Sequence, residues 1–127
     1  MADDVAPLLL GVQLVTQVDV LGMELMPFIL PDLDTARQLE EAGCAALRVM
    51  ASPVASGRGI VDPMAIREII DSVSVPVIVE GGLGSVKHVA LAMELGAAAV
   101  LVNTALVQAK EPLIMAHAMR YGVTAGW

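Results

Sequence analysis

The 127-residue sequence predicts an α/β fold built on a parallel sheet of about four strands, and three observations carry that prediction. Short apolar runs rich in β-branched residues alternate with helical stretches four times, with no linker or low-complexity segment between them. Such alternation implies parallel strands joined by right-handed helical crossovers. The chain is 57% hydrophobic but only 2% aromatic, against an ordinary apolar share of about 45–50%. Ala, Val, Leu, Ile and Met therefore do the burying, as suits packed α/β layers. Finally, the last two runs end in small or polar residues where the next helix opens.

Taken in order, the segment ahead of Glu24 is ambiguous. Val15, Val18 and Val20 suit a strand, whereas its length and leucine spacing favour a helix, and residues 1–22 are read as a helix preceding the first strand. The first strand is Glu24–Leu30. Its helix opens after Pro31 with Asp32 or Asp34 as cap, presents Leu33, Ala36 and Leu39 on one face, and ends at Gly43. Cys44–Met50 is the second strand, followed by the loop Ala51–Gly59. Asp62 and Pro63 then form a cap and first-turn pair, with Ile66, Ile69, Ile70 and Val73 as an inward stripe. Val75–Glu80 is the third strand, with a helix over Val86–Leu95 closed by Gly96. The fourth is Ala98–Asn103, and a final helix opens near Glu111 and Pro112.

The stretch PVIVEGGLGS (Pro76–Ser85) holds the strongest functional signal. Gly81, Gly82 and Gly84 leave backbone N–H groups uncovered, and Ser85 is placed to cap a helix whose N-terminus favours an anion. About twenty residues on, AVLVNTA (Ala99–Ala105) repeats the arrangement with Asn103 and Thr104. In eight-stranded (β/α) barrels a phosphate commonly sits on the loops after the last two strands. Two such turns argue for a bound phosphate ester. A full barrel takes roughly 250 residues, so this chain supplies about half of one, as a single domain over 1–127.

Composition excludes other classes. A net charge of −7 with seven scattered Lys and Arg argues against nucleic-acid binding. The apolar run Ala6–Val20 is interrupted by Gln13, Thr16, Gln17 and Asp19 and is too short to span a bilayer, and the start Met1–Asp4 is acidic where a secretory leader is basic. The expectation is a cytoplasmic protein. The lone Cys44 excludes an intrachain disulfide and reads as a small core residue; His88 and His117 read as surface residues without ligand spacing. No metal and no cofactor are expected. Ser52 and Ser56 read as loop hydrogen-bonders, with Ser56 also a candidate phosphate contact.

The motifs LEEAGCAA (Leu39–Ala46), SGRGI (Ser56–Ile60), VPVIVEGGLGS (Val75–Ser85), AMELGA (Ala92–Ala97) and NTAL (Asn103–Leu106) follow one another in register. In order and spacing the chain resembles the C-terminal half of bacterial thiazole synthase, from about Met23 to the last helix and more loosely back to Asp4. The resemblance implies a (β/α)₈ barrel that condenses 1-deoxy-D-xylulose 5-phosphate, dehydroglycine and sulfur from a sulfur-carrier protein thiocarboxylate into the thiazole of thiamine. It implies that Gly81 and Gly82 contact the sugar phosphate after the seventh strand, with Asn103 and Thr104 doing so after the eighth. Gly84, Ser85, Ser56 and Gly57 complete the expected phosphate set. Glu80 matches a catalytic aspartate, a carboxylate able to move protons on carbons beside an imine.

The departures from that family bear on chemistry. Its imine-forming lysine lies in a VKLEV-like strand that has no counterpart here, and the two lysines present, Lys87 and Lys110, end no strand. A ketone is not activated as an imine without a positioned amine. The family's GSPIGSG loop reads Ala51–Gly57 here, with Ala51 and Ala55 replacing glycines; if either position needs a positive φ, alanine strains it. Arg48 puts a charge in an otherwise apolar strand, read as an exposed or partner-facing residue or an extension of the anion site. Four functional readings follow: a synthase half that needs a lysine-bearing chain, a sugar-phosphate-binding module without turnover, an assembly half-barrel, or a truncated frame. Free sheet edges and an uncovered inner face favour a homo- or hetero-oligomer in each.

Overall fold

The computed structural model describes residues 21–127, so the helix expected over 1–22 lies almost wholly outside the described residues; Leu21 and Gly22 form a turn. The strands are β1 (Phe28–Ile29), β2 (Leu47–Met50), β3 (Val77–Glu80) and β4 (Ala99–Leu101), all parallel and ordered β1-β2-β3-β4. Between and after them run α1 (Leu33–Ala42), α2 (Pro63–Ser72), α3 (Val86–Glu94), α4 (Thr104–Val107) and α5 (Pro112–Gly126). The predicted strand–helix alternation is the observed one.

Local chemistry explains the helix starts. The Asp32 carboxylate accepts the Thr35 N–H, and that of Asp62 accepts the Ala65 N–H at 3.1 Å ahead of Pro63. Gly43 ends α1 at φ 102°, a left-handed turn suited to glycine. Glu40, late in α1, accepts the Ser74 and Val75 backbone N–H groups and so ties α1 to the entry of β3.

The strands are shorter than their apolar runs. Pro27 has no N–H to donate, and β1 narrows to two residues from the expected Glu24–Leu30. Pairing persists irregularly beside it: the Ala45 N–H donates to Leu25 O and the Arg48 N–H to Pro27 O, both at 2.9 Å. The four-residue α4, inserted between β4 and α5, is absent from the predicted elements.

Register divides the sheet into two faces. Leu47, Val49, Val77 and Val79 turn toward the helices and are buried with Ala36, Leu39, Ile66, Ile69, Val89 and Ala92. Cys44 joins that core, as expected, and burial pushes its thiol pKa up, with the Glu40 charge adding to the shift. The alternate residues share the opposite face: Phe28, Arg48, Ile78 and Ala99 in one row, Met50, Glu80 and Leu101 in the next. No helix among the described residues is long and apolar enough to cross a membrane.

Candidate functional site

Parallel strands end together, so the loops after β2, β3 and β4 converge at one edge of the sheet. The first two loops are laced to each other: the Ala51 N–H donates to Glu80 O (2.8 Å), the Ser52 N–H to Gly81 O (3.0 Å) and the Gly59 N–H to Gly82 O (2.8 Å). Gly81 and Gly82 both hold left-handed backbone, at φ 86° and 75°. A Cβ at Gly82 would overlap Ser52 Oγ, and one at Gly84 would stand 3.0 Å from Gly57 Cα. Gly82 is therefore required by the close approach of two loops as well as by its dihedral, and Gly84 by the approach alone. Within the described residues, the Gly81 and Gly82 N–H groups donate to no protein acceptor.

A cavity of about 470 Å³ opens at this edge. It brings together Ser56 and Gly57 after β2, Glu80 at the end of β3 with Gly81, Gly82 and Gly84 after it, and Asn103 and Thr104 after β4. Eight of the nine residues expected in the site thus line one space. Ser85 does not. It occupies the N-cap position of α3, but its hydroxyl makes no capping bond and is buried without a partner. His88, read from sequence as a surface residue, instead ties the head of α3 back to the glycine loop. It is half-buried, and its Nδ1 accepts the Gly84 N–H at 3.0 Å. Burial, and secondarily the Lys87 charge, hold its pKa below the usual histidine value of 6.5. It stands three residues after Ser85, but its bond passes the N-cap and reaches the Gly84 N–H, so no capping-box pattern in the sequence marks it.

Of the two alanines in the loop after β2, Ala55 takes φ 67° and Ala51 does not take a positive φ. Strain falls on Ala55 alone.

Arg48 is neither freely exposed nor a wall of the cavity. Its Nη1 donates to Glu80 Oε1 at 2.9 Å, its Nε donates to Met26 O at 2.8 Å, and its guanidinium lies 5.5 Å from the Phe28 ring centroid. The Glu80 side chain keeps 7% of its exposure and that of Arg48 keeps 34%. An unpaired carboxylate so buried would be costly, and the guanidinium supplies the compensating charge. The pairing was invisible in sequence because it needs the register: Arg48 lies opposite Ile78, and reaches diagonally to Glu80. Apolar wall residues Phe28, Leu101 and Met115 carried no motif signal either.

The family model for thiazole biosynthesis protein ThiG matches residues 8–127, nearly the whole chain. The chain belongs to the ThiG family. Thiazole synthases of Myxococcus xanthus and Exiguobacterium sibiricum are each 50% identical over 105 residues, which is 83% of this chain and 40% and 41% of theirs. The chain spans about two-fifths of the length of these curated relatives. A solved BexX/CysO complex from Amycolatopsis orientalis matches at 67% identity and a TM-score of 0.88, covering 91% of this chain and 48% of that one. The (S)-3-O-geranylgeranylglyceryl phosphate synthase of Thermoplasma acidophilum, at 14% identity and a TM-score of 0.68, shares the fold alone. The described residues of this ThiG-type chain thus form a barrel-type α/β unit with four parallel strands.

Proposed function

We propose that this chain is the phosphate-binding part of a thiazole-synthase-type barrel, taking 1-deoxy-D-xylulose 5-phosphate on the loops after its last two strands. One observation carries the reading: three separate loops deliver Ser56, Gly57, Gly81, Gly82, Gly84, Asn103 and Thr104 to a single cavity with the carboxylate of Glu80 in its wall. Paired left-handed glycines whose N–H groups meet no protein acceptor among the described residues suit a phosphate. Glu80 then stands beside the carbon skeleton, where it moves protons once a lysine of the remaining barrel has formed the imine. Ser85 acts only through the helix start that it occupies. The relative from A. orientalis was solved with a protein partner, CysO; with the family resemblance, this supports a sulfur-carrier protein as partner of the present chain. The cytoplasm is the compartment we propose for both.

On this reading the chain by itself is chemically idle. Lys87 lies exposed on α3 and Lys110 exposed between α4 and α5, neither of them at a strand end. Isothermal titration of the purified chain with the pentulose phosphate should show binding, and borohydride reduction of the mixture should leave no mass adduct. Absence of binding would overturn the site, and an adduct on either lysine would overturn the idleness.

An assembly reading also has an observation behind it. Phe28 and Leu101 on the inner face remain 40% and 46% exposed, and Met26 beside them 48%. Such a face favours closure by a second copy or a complementary half. Light scattering should give a mass above that of the 13.2 kDa chain; a soluble monomer at micromolar concentration counts against association.

A further inference from the structure

We infer that Arg48 is a positioning residue for a polyhydroxylated phosphate ester, holding Glu80 so that its second oxygen accepts a hydrogen bond from a hydroxyl of the ligand. The inference rests on the cavity being a phosphate-ester site and concerns how the rest of the ester is recognised.

Arg48 stands behind the cavity, not in its wall, yet both side chains it holds, Glu80 and Phe28, line it. Its own place is fixed from a third direction by the Met26 carbonyl. A glutamate at the end of a strand has three side-chain torsions to immobilise on binding, an entropic cost that the guanidinium removes beforehand by tying Oε1. Oε2 accepts from no described donor and is not sealed from solvent. A carboxylate presented in this way is an acceptor only, so it repels the phosphate and selects a donor. With the phosphate on the glycine loops, the donors nearest to it on a sugar ester are the hydroxyls of its carbon chain. Direct anion binding by Arg48 is the competing role; it would require the guanidinium to leave a 2.9 Å ion pair for a space that it does not line.

The experiment is calorimetric titration of the full chain with 1-deoxy-D-xylulose 5-phosphate and, separately, with inorganic phosphate. Variants are Arg48→Met, Arg48→Lys, Glu80→Gln and the Arg48→Met/Glu80→Gln double, each checked for folding by circular dichroism. Arg48→Met and Glu80→Gln should each weaken the ester about tenfold, near 1.4 kcal/mol, while inorganic phosphate changes less than about twofold. The double should be no weaker than Glu80→Gln, because the two residues act as a unit. Arg48→Lys, which keeps the charge but loses the planar fork, should fall between wild type and Arg48→Met. Equal losses for ester and phosphate, additive losses in the double, or an unchanged Arg48→Met would overturn the inference while leaving the phosphate site standing. Wild-type chain that binds neither ligand would remove both. If Arg48→Met does not fold, Arg48→Lys and Glu80→Gln decide: an ester-only loss supports the inference, and a loss shared by phosphate or no loss overturns it.

Discussion

The two faces of one small sheet obey different rules. Toward the helices, Leu47, Val49 and Val79 are wholly buried and Val77 nearly so, and any sequence with the same periodicity would pack similarly. On the inner face the same strands present Phe28, Arg48, Met50, Ile78, Glu80 and Leu101, half-exposed for the most part and carrying the one inter-strand ion pair among the described residues. The covered face makes the fold, and the open face holds what distinguishes this chain. Substitutions should therefore separate cleanly by face. Leu47→Ala should cost about 3 kcal/mol, since a fully buried leucine loses its transfer energy and leaves a cavity. Ile78→Ala, on the neighbouring strand but half-buried, should cost about 1 kcal/mol. Urea melts of both variants test this; equal losses would mean that the inner face is already covered in solution.

The same contrast can be sharpened within the loops. Gly82→Ala adds a Cβ onto Ser52 Oγ and forces alanine to φ 75°, so about 1–2 kcal/mol of dihedral cost adds to a packing cost of about 1 kcal/mol or more. Gly57→Ala meets nothing within 4 Å at φ 65° and should lose only the dihedral part, about 1 kcal/mol. Thermal melts should rank the two, with Gly82→Ala the more damaging. Equal effects would show that the approach of the loops after β2 and β3 is not maintained in solution.

How much was legible in the sequence divides along the same line. The buried pair Ile66 and Ile69, the cap Asp62, the termination at Gly43 and, to within the choice of Asp32 or Asp34, the cap of α1 were readable because each depends on neighbours within one turn of chain. The convergence of the glycine loops and Asn103–Thr104 on one cavity was readable because strand ends in a parallel sheet must come together. Strand lengths were not, since ladder formation depends on what the adjacent strand offers, and Pro27 offers no donor. The Arg48–Glu80 pair, 32 residues apart, required a register that periodicity leaves open. The bond from the Gly84 N–H to His88 was hidden as well, because His88 is held against Gly59, a contact between the loop after β2 and α3 that local sequence does not carry.

Strain, too, lies on the open side. Ala55 lines the cavity at φ 67°, where a Cβ crowds the backbone. Ala55→Gly removes about 1–2 kcal/mol of that crowding and gives back about 0.4–1 kcal/mol through the freer unfolded chain. The expected net is a gain of about 0–1.6 kcal/mol, read as a rise in melting temperature of up to about 5 °C. A fall would show that Ala55 relaxes out of the left-handed region in solution. No matching gain is expected on the covered face, where no described residue besides glycine has a positive φ.

The smallest effect concerns pH, and it too belongs to the site side. Burial and the Lys87 charge lower the His88 pKa in the folded chain, so the unfolded chain, near 6.5, takes up the proton first as pH falls. Stability is complete above about pH 6.5 and is lost progressively as pH drops from there through the lower folded value, below which this group takes no more. Protonation also turns Nδ1 from acceptor to donor and ends its bond to the Gly84 N–H. Melting curves from pH 7.5 to 5 should show this decline, and His88→Asn, which offers an uncharged acceptor near the same place, should flatten it. A decline of equal slope in His88→Asn would assign the pH dependence to carboxylates elsewhere and leave the glycine loop's head insensitive to pH.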